Sequence, residues 1–76
     1  MDIINRIKPL VEELAFKKLE NDEPLYTSNL IDSMGTVDLA IMLEKEFNIK
    51  IDTRDIIVSN FDSIEKLANY IKSRIG

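Results

Sequence analysis

The stretch NLIDSMGTVDLAIMLEKEF, residues 29–47, decides how this chain is read. An irregular polar segment ends at Asp32-Ser33, and a long run with apolar residues at helical spacing begins there. Asp32 is expected to cap a helix that starts at Ser33, accepting hydrogen bonds from its first free amides. Val37, Ala40, Ile41 and Glu44 fall on one face of that helix, Leu39, Leu43 and Phe47 flank it, and Asn48 is placed to end it. So broad an apolar arc predicts that one side packs inward, with Val37 and Ile41 partly in the core, while another side offers apolar contact to something else. Taken alone, the Asp-Ser dipeptide is a helix cap, because both residue types are favoured at helix starts.

Three further helical patterns surround this one, and no alternating strand is legible. Ile3, Ile7, Val11 and Leu14 mark a first helix, widened by Ile4, Leu10 and Ala15. Pro9 lies inside it and predicts a kink or a late start. From Lys17 the pattern dissolves into KKLENDEPLYTSN, a loop of about a dozen residues, long enough in so small a domain to suggest function. After IKI, Asp52 is expected to cap a short helix through Val58. Ile64, Leu67, Ala68, Ile71 and Ile75 mark the last helix, with Asp62 or Ser63 as cap and Glu65 completing a capping-box variant around Asp62. Lys72 and Arg74 sit in its final turn, where they complement the helix dipole. The scattered aromatics Phe16, Tyr26, Phe47, Phe61 and Tyr70 read mostly as core or staple residues. The expected fold is all-α: residues 1–76 as one domain, a small four-helix bundle with three long helices and a short third one.

Composition removes whole classes of chemistry. With 45% hydrophobic and 32% charged residues, the chain suits a compact globule rather than a disordered one. No cysteine is present, so neither a disulfide framework nor a thiolate metal site is available. No histidine is present either, which removes the commonest general base and metal ligand. No loop has calcium-binding spacing and the carboxylates are spread over several helices, so no metal site is expected. A net charge of −4 disfavours nucleic acid, whose phosphates demand a basic surface. There is no signal-peptide pattern at the N-terminus and no apolar run of membrane-spanning length, so the expectation is a monomeric cytoplasmic protein.

The context of Ser33 changes its reading. Asp32-Ser33-Met34 is followed by Val37-Asp38-Leu39, Leu43-Glu44 and Glu46-Phe47, and the last helix carries Ile64, Leu67, Tyr70 and Ile71. In these motifs, in helix order and in the long first loop, nearly the whole chain resembles the acyl carrier protein family, including the aminoacyl and peptidyl carriers. That family opens its second helix with Asp-Ser-Leu or Asp-Ser-Met, and the serine carries 4′-phosphopantetheine through a phosphodiester. The resemblance implies that Ser33 is that serine, modified from coenzyme A by a phosphopantetheinyl transferase, and that a ligase or synthase then loads cargo as a thioester. A helix N-terminus favours a phosphate, and with no histidine to activate it Ser33 is an acceptor rather than a catalytic nucleophile.

The resemblance also implies where partners dock. Met34 matches the family's exposed apolar docking position, with Val37 and Ile41 one and two turns along. Asp38, Glu44, Asp52 and Asp55 match acids that meet basic partner surfaces. Six acids and three bases between Asp32 and Asp55 put most of the excess negative charge there. Asp32 takes a second duty beside capping, helping the transferase and its magnesium ion approach. Leu30 stands where many fatty-acid carriers have glycine, Gly35 replaces the acid usual in the most acidic carriers, and Lys45 lies in the docking helix. LIDSMGTVDL is therefore closer to stand-alone carriers of amino acids or specialised acyl units, such as the D-alanyl carriers of teichoic-acid modification. The missing side chain of Gly35 is expected to leave room for the arm or a partner. Two rival classes are an unmodified helical adaptor, binding through the second helix, and a small enzyme, which the missing histidine and cysteine argue against.

Overall fold

In a computed structural model, which describes residues 2–75, the chain folds into four α-helices with no strand among the described residues. They are α1 (Ile3–Ala15), α2 (Ser33–Phe47), α3 (Val58–Phe61) and α4 (Ile64–Ile75), and a single 3-10 turn at Thr53–Asp55 precedes α3. The expected order of long, long, short and long is what the molecule adopts. α1 packs against both α2 and α4, and α3 packs against α4.

α1 begins at Ile3 despite Pro9, so the late start does not occur. Asp2 caps it, its carboxylate accepting from the Asn5 amide at 3.2 Å and from the Asn5 side chain at 2.6 Å. Pro9 lies on the exposed face, where water can meet the carbonyl that its missing N–H leaves open. Ile3, Ile7 and Val11 point into the core. Arg6 ties α1 to the far end of α2: its guanidinium bonds the Glu46 carboxylate at 3.0 Å and the Glu46 carbonyl at 2.7 Å, and lies 4.4 Å over the Phe47 ring. Asn48, in the left-handed conformation, ends α2 as expected, its N–H bonding the Glu44 carbonyl.

The third helix is displaced from its expected place. Asp52 caps only the 3-10 turn, accepting from the Arg54 amide at 2.9 Å, and Ile57 is extended. α3 therefore begins at Val58, where the sequence pattern had put the end of the short helix. The break at Ile57 lets Ile56 pack against the core while Ile57 and Val58 stay on the surface. At the start of α4 the cap is Ser63, whose hydroxyl accepts from the Lys66 amide at 3.0 Å. No capping box forms around Asp62, because that carboxylate is turned away toward the long loop.

Leu25, Leu39, Leu43, Phe61, Ile64, Leu67 and Ile71 are fully buried in one core. Phe16 departs from the core reading. It ends α1 in the left-handed conformation, a cost of about 1–2 kcal/mol for a residue with a side chain, and it is 93% exposed. Tyr70 is buried, and its hydroxyl donates to the Asp55 carboxylate at 2.7 Å, fastening the 3-10 turn to α4. Burial first, and that hydrogen bond second, push the Tyr70 phenol up to about 12. The folded state thus holds the proton more tightly than the unfolded chain. The stability this confers is complete below the ordinary phenol pKa of about 10 and is lost as pH rises above it. Tyr70→Phe should cost about 1 kcal/mol at neutral pH in urea denaturation, and should remove that share of the stability loss of the parent protein between pH 10 and 12.

Candidate functional site

The site is built on the first turn of α2. Asp32 is extended, and its Oδ1 accepts from the Gly35 amide at 2.7 Å, while its carbonyl accepts from the Thr36 amide at 2.9 Å. The cap expected from the sequence is therefore formed. It leaves the Ser33 and Met34 amides as the open donors of the turn among the described residues, at the positive end of the helix. Ser33 is exposed, and among the described residues no hydrogen bond engages its hydroxyl. A free serine hydroxyl at an exposed, positively polarised turn is the chemistry that a phosphodiester-linked arm requires, so these residues fit the group.

The buried stripe of α2 is Thr36, Leu39, Ala40 and Leu43, rotated from the face expected. Thr36 is accommodated because its hydroxyl donates to the Ser33 carbonyl at 2.7 Å. Val37 and Ile41, expected to lie partly in the core, are 46% and 45% exposed and share an outward face with Met34, 76% exposed. Three apolar side chains thus run down the helix from the serine at spacings of three and four. Ile57 and Val58, whose exposure the sequence did not suggest, add apolar surface at the start of α3.

The expected acidic residues are placed differently from one another. Asp38 is exposed on α2. Glu44 is half-buried, and its carboxylate accepts from the Ile51 amide at 2.7 Å, holding the segment after α2. Asp55 is engaged by Tyr70. Asp52 is bonded to Arg54, whose guanidinium holds its carboxyl below the ordinary range. Much of the charge that the sequence assigned to partners is therefore also used to shape the fold.

Gly35 has an internal explanation. A Cβ at this position would lie 2.8 Å from Cγ2 of Ile31 and 3.2 Å from Oδ1 of Asp32. The space expected for an arm or a partner is filled by the chain's own Ile31, which is buried. Close seating of Ile31 and the Asp32 cap over one turn requires glycine there.

The long loop, residues 16–32, holds the site from the other side. Leu19, Leu25 and Ile31 enter the core, and the Leu19 amide is met by the Glu12 carboxylate at 2.8 Å. The Glu65 amide donates to the Asn21 carbonyl, and the Ile31 amide to the Leu25 carbonyl. Asp62 accepts from the Tyr26 and Thr27 amides, each at 2.9 Å, and from the Thr27 hydroxyl. Burial works against its charge, but bonds from Thr27, Tyr26 and Leu25 outweigh it and hold the carboxyl below the ordinary range. Sequence reasoning read Asp62 only as a possible helix cap. The alternative Ser63 beside it was the available signal that one of the two had another task.

Comparison with known proteins agrees with this geometry. The phosphopantetheine attachment site family matches residues 6–71. The chain is 32% identical over 69 residues to a D-alanyl carrier protein of Streptococcus suis, and 30% identical to one of Streptococcus sanguinis. Each match covers 88% of this chain and 87% of the relative. The chain belongs to the phosphopantetheine attachment family: it is a carrier protein of the acyl and aminoacyl carrier class, which holds its cargo on a covalent 4′-phosphopantetheine arm. Such a protein is not an enzyme. It is acted on by a phosphopantetheinyl transferase and by loading or biosynthetic enzymes. No helix among the described residues is long and apolar enough to cross a membrane.

Substitutions at two positions test the turn. Ala at position 35 would ordinarily add up to about 1 kcal/mol of helix propensity, but overpacking against buried Ile31 costs about 1–3 kcal/mol. Gly35→Ala should therefore destabilise the protein in urea denaturation. Asp32→Ala should cost about 1 kcal/mol as a lost cap, whereas Asp32→Asn keeps an acceptor and should stay near the parent stability. A lower rate of phosphopantetheine transfer to the Asn variant at unchanged melting temperature would isolate the role of the charge.

Proposed function

We propose that Ser33 is the attachment serine, and that the protein is an aminoacyl carrier working as a cytoplasmic monomer. The observation that carries the assignment is an exposed hydroxyl, free of hydrogen bonds among the described residues, on the first turn of a helix capped by Asp32. Ser33 acts as acceptor, and the base that takes its proton belongs to the transferase, since this chain has no histidine. Asp32 orders the turn and presents a carboxylate beside the hydroxyl for the transferase and its magnesium ion. The attached arm supplies the thiol on which cargo rides as a thioester, so a chain without cysteine takes part in thiol chemistry.

The cargo proposed is a small amino acid of the D-alanine kind, activated by an adenylating ligase and passed to a downstream transferase. Two observations support it: the relatives are named D-alanyl carrier proteins, and the core side chains Leu25, Leu39, Leu43, Phe61 and Leu67 are fully buried against one another. A small polar cargo needs no place among them. Partners are proposed to dock on α2 through Met34, Val37 and Ile41, with Asp38 exposed alongside and Glu44, Asp52 and Asp55 adding negative potential. An intact-mass measurement after incubation with coenzyme A, magnesium and a broad-specificity phosphopantetheinyl transferase tests the core of this reading. One phosphopantetheine is expected on the parent chain and none on Ser33→Ala. Loading of the modified chain should then follow with D-alanine, ATP and a D-alanine-activating ligase, and no addition to a folded parent chain would remove the assignment of Ser33.

A further inference from the structure

Asp62 lies outside every motif that points to Ser33, yet its side chain accepts more hydrogen bonds from the long loop than any other among the described residues. Its Oδ1 accepts from two successive amides, those of Tyr26 and Thr27. The Thr27 hydroxyl lies 3.1 Å from Oδ2, and the Asp62 carbonyl accepts from the Leu25 amide at 2.7 Å. Residues 25–27 are thereby fastened at one point to the junction of α3 and α4. Capping does not explain this, because Ser63 already caps α4.

From that point a continuous chain of contacts leads to the serine. The Leu25 carbonyl accepts from the Ile31 amide at 3.1 Å, which closes residues 25–31 into a loop with its ends tied. Ile31 is buried against the first turn of α2, in the space that a Cβ on Gly35 would occupy. Asp32, the next residue, caps the turn that carries Ser33. Each link is a peptide bond, a hydrogen bond or a van der Waals contact, so loosening residues 26–27 weakens the restraint on one flank of that turn.

We propose that Asp62 is a positioning residue for the modification of Ser33: by holding residues 25–31 in one shape it keeps the first turn of α2 presented to the transferase. This rests on Ser33 being the attachment serine. An anionic carboxylate suits the task, since it offers about four acceptor positions where a hydroxyl offers two, and its bonds to amides are charge-assisted.

The test compares the full chain with Asp62→Ala, Asp62→Asn, Tyr70→Phe and Ser33→Ala. Transfer of phosphopantetheine is measured as kcat/KM, beside thermal melting and amide hydrogen exchange. Asp62→Ala should lower kcat/KM at least tenfold in the folded state and speed exchange at Tyr26, Thr27 and Ile31. Asp62→Asn, whose amide oxygen can still accept from both loop amides, should recover most of the rate. Tyr70→Phe removes a bond to Asp55 that does not involve residues 25–31 and should change the rate less than twofold. Transfer to Asp62→Ala at the parent rate, or a loss no greater than that of Tyr70→Phe, would overturn the proposal while leaving Ser33 as the acceptor. Undiminished transfer to Ser33→Ala would instead overturn the attachment reading and this proposal with it. If Asp62→Ala does not fold, Thr27→Val removes the hydroxyl contact alone. A loss of at least threefold is then expected, and the parent rate would overturn the role.

Discussion

The fold depends on closing a long irregular segment over the end of a small bundle, and the closure is made at Leu25. Its side chain is fully buried, its amide donates to the Asp62 carbonyl, and its carbonyl accepts from the Ile31 amide. A buried loop residue whose backbone groups went unpaired would cost more than its apolar surface returns. Pairing both groups lets the loop contribute Leu19, Leu25 and Ile31 to the core instead of merely spanning it. For a chain this short, near the size at which one core is only just sufficient, those three side chains matter. The Cα radius of gyration, 10.9 Å, is close to the ~11 Å expected of a compact chain of this length, so the loop lies on the bundle.

The same closure explains why the serine turn is both ordered and open. Ile31 fills the inner side of the turn, Gly35 gives it room, and Asp32 satisfies the Gly35 amide. Nothing among the described residues covers the outer side, where Ser33 and Met34 are exposed. A carrier needs little more from its fold than this. Catalytic groups belong to the enzymes that act on it, and the carrier contributes a reachable hydroxyl at a fixed place and a surface that can be recognised.

Net charge would suggest a protein that simply displays acids. Much of the acidity is structural: Glu12, Glu44, Asp55 and Asp62 each accept a hydrogen bond from a group elsewhere in the fold. A carboxylate satisfies such donors strongly because it accepts with full charge and two oxygens. Asp38 is different, standing exposed between the apolar positions of α2. Charge counted along a sequence therefore overstates what a surface offers, and the apolar line of Met34, Val37 and Ile41 is the more distinctive feature of this helix.

The sequence by itself determined the helix order, the Asp32 cap, the end of α2 at Asn48 and the family to which Ser33 points. The helix order, the cap and the helix end follow from local spacing, because a helix start, its cap and its apolar period involve residues within one or two turns, whereas the family is read from its motifs. Tertiary structure alone decided the rest. Val37 and Ile41 face outward because the packing of α1 selected Thr36, Leu39, Ala40 and Leu43 as the inner stripe, and a broad apolar arc permits either choice. The short third helix begins at Val58 because Ile56 finds the core only if the chain extends at Ile57. Asp62 could have capped α4, as Ser63 does; it turned to Tyr26 and Thr27 because folding brought those amides within reach across thirty-six and thirty-five residues of chain. A carboxylate's local options can be read from its neighbours, but its distant donors exist only once the core has formed.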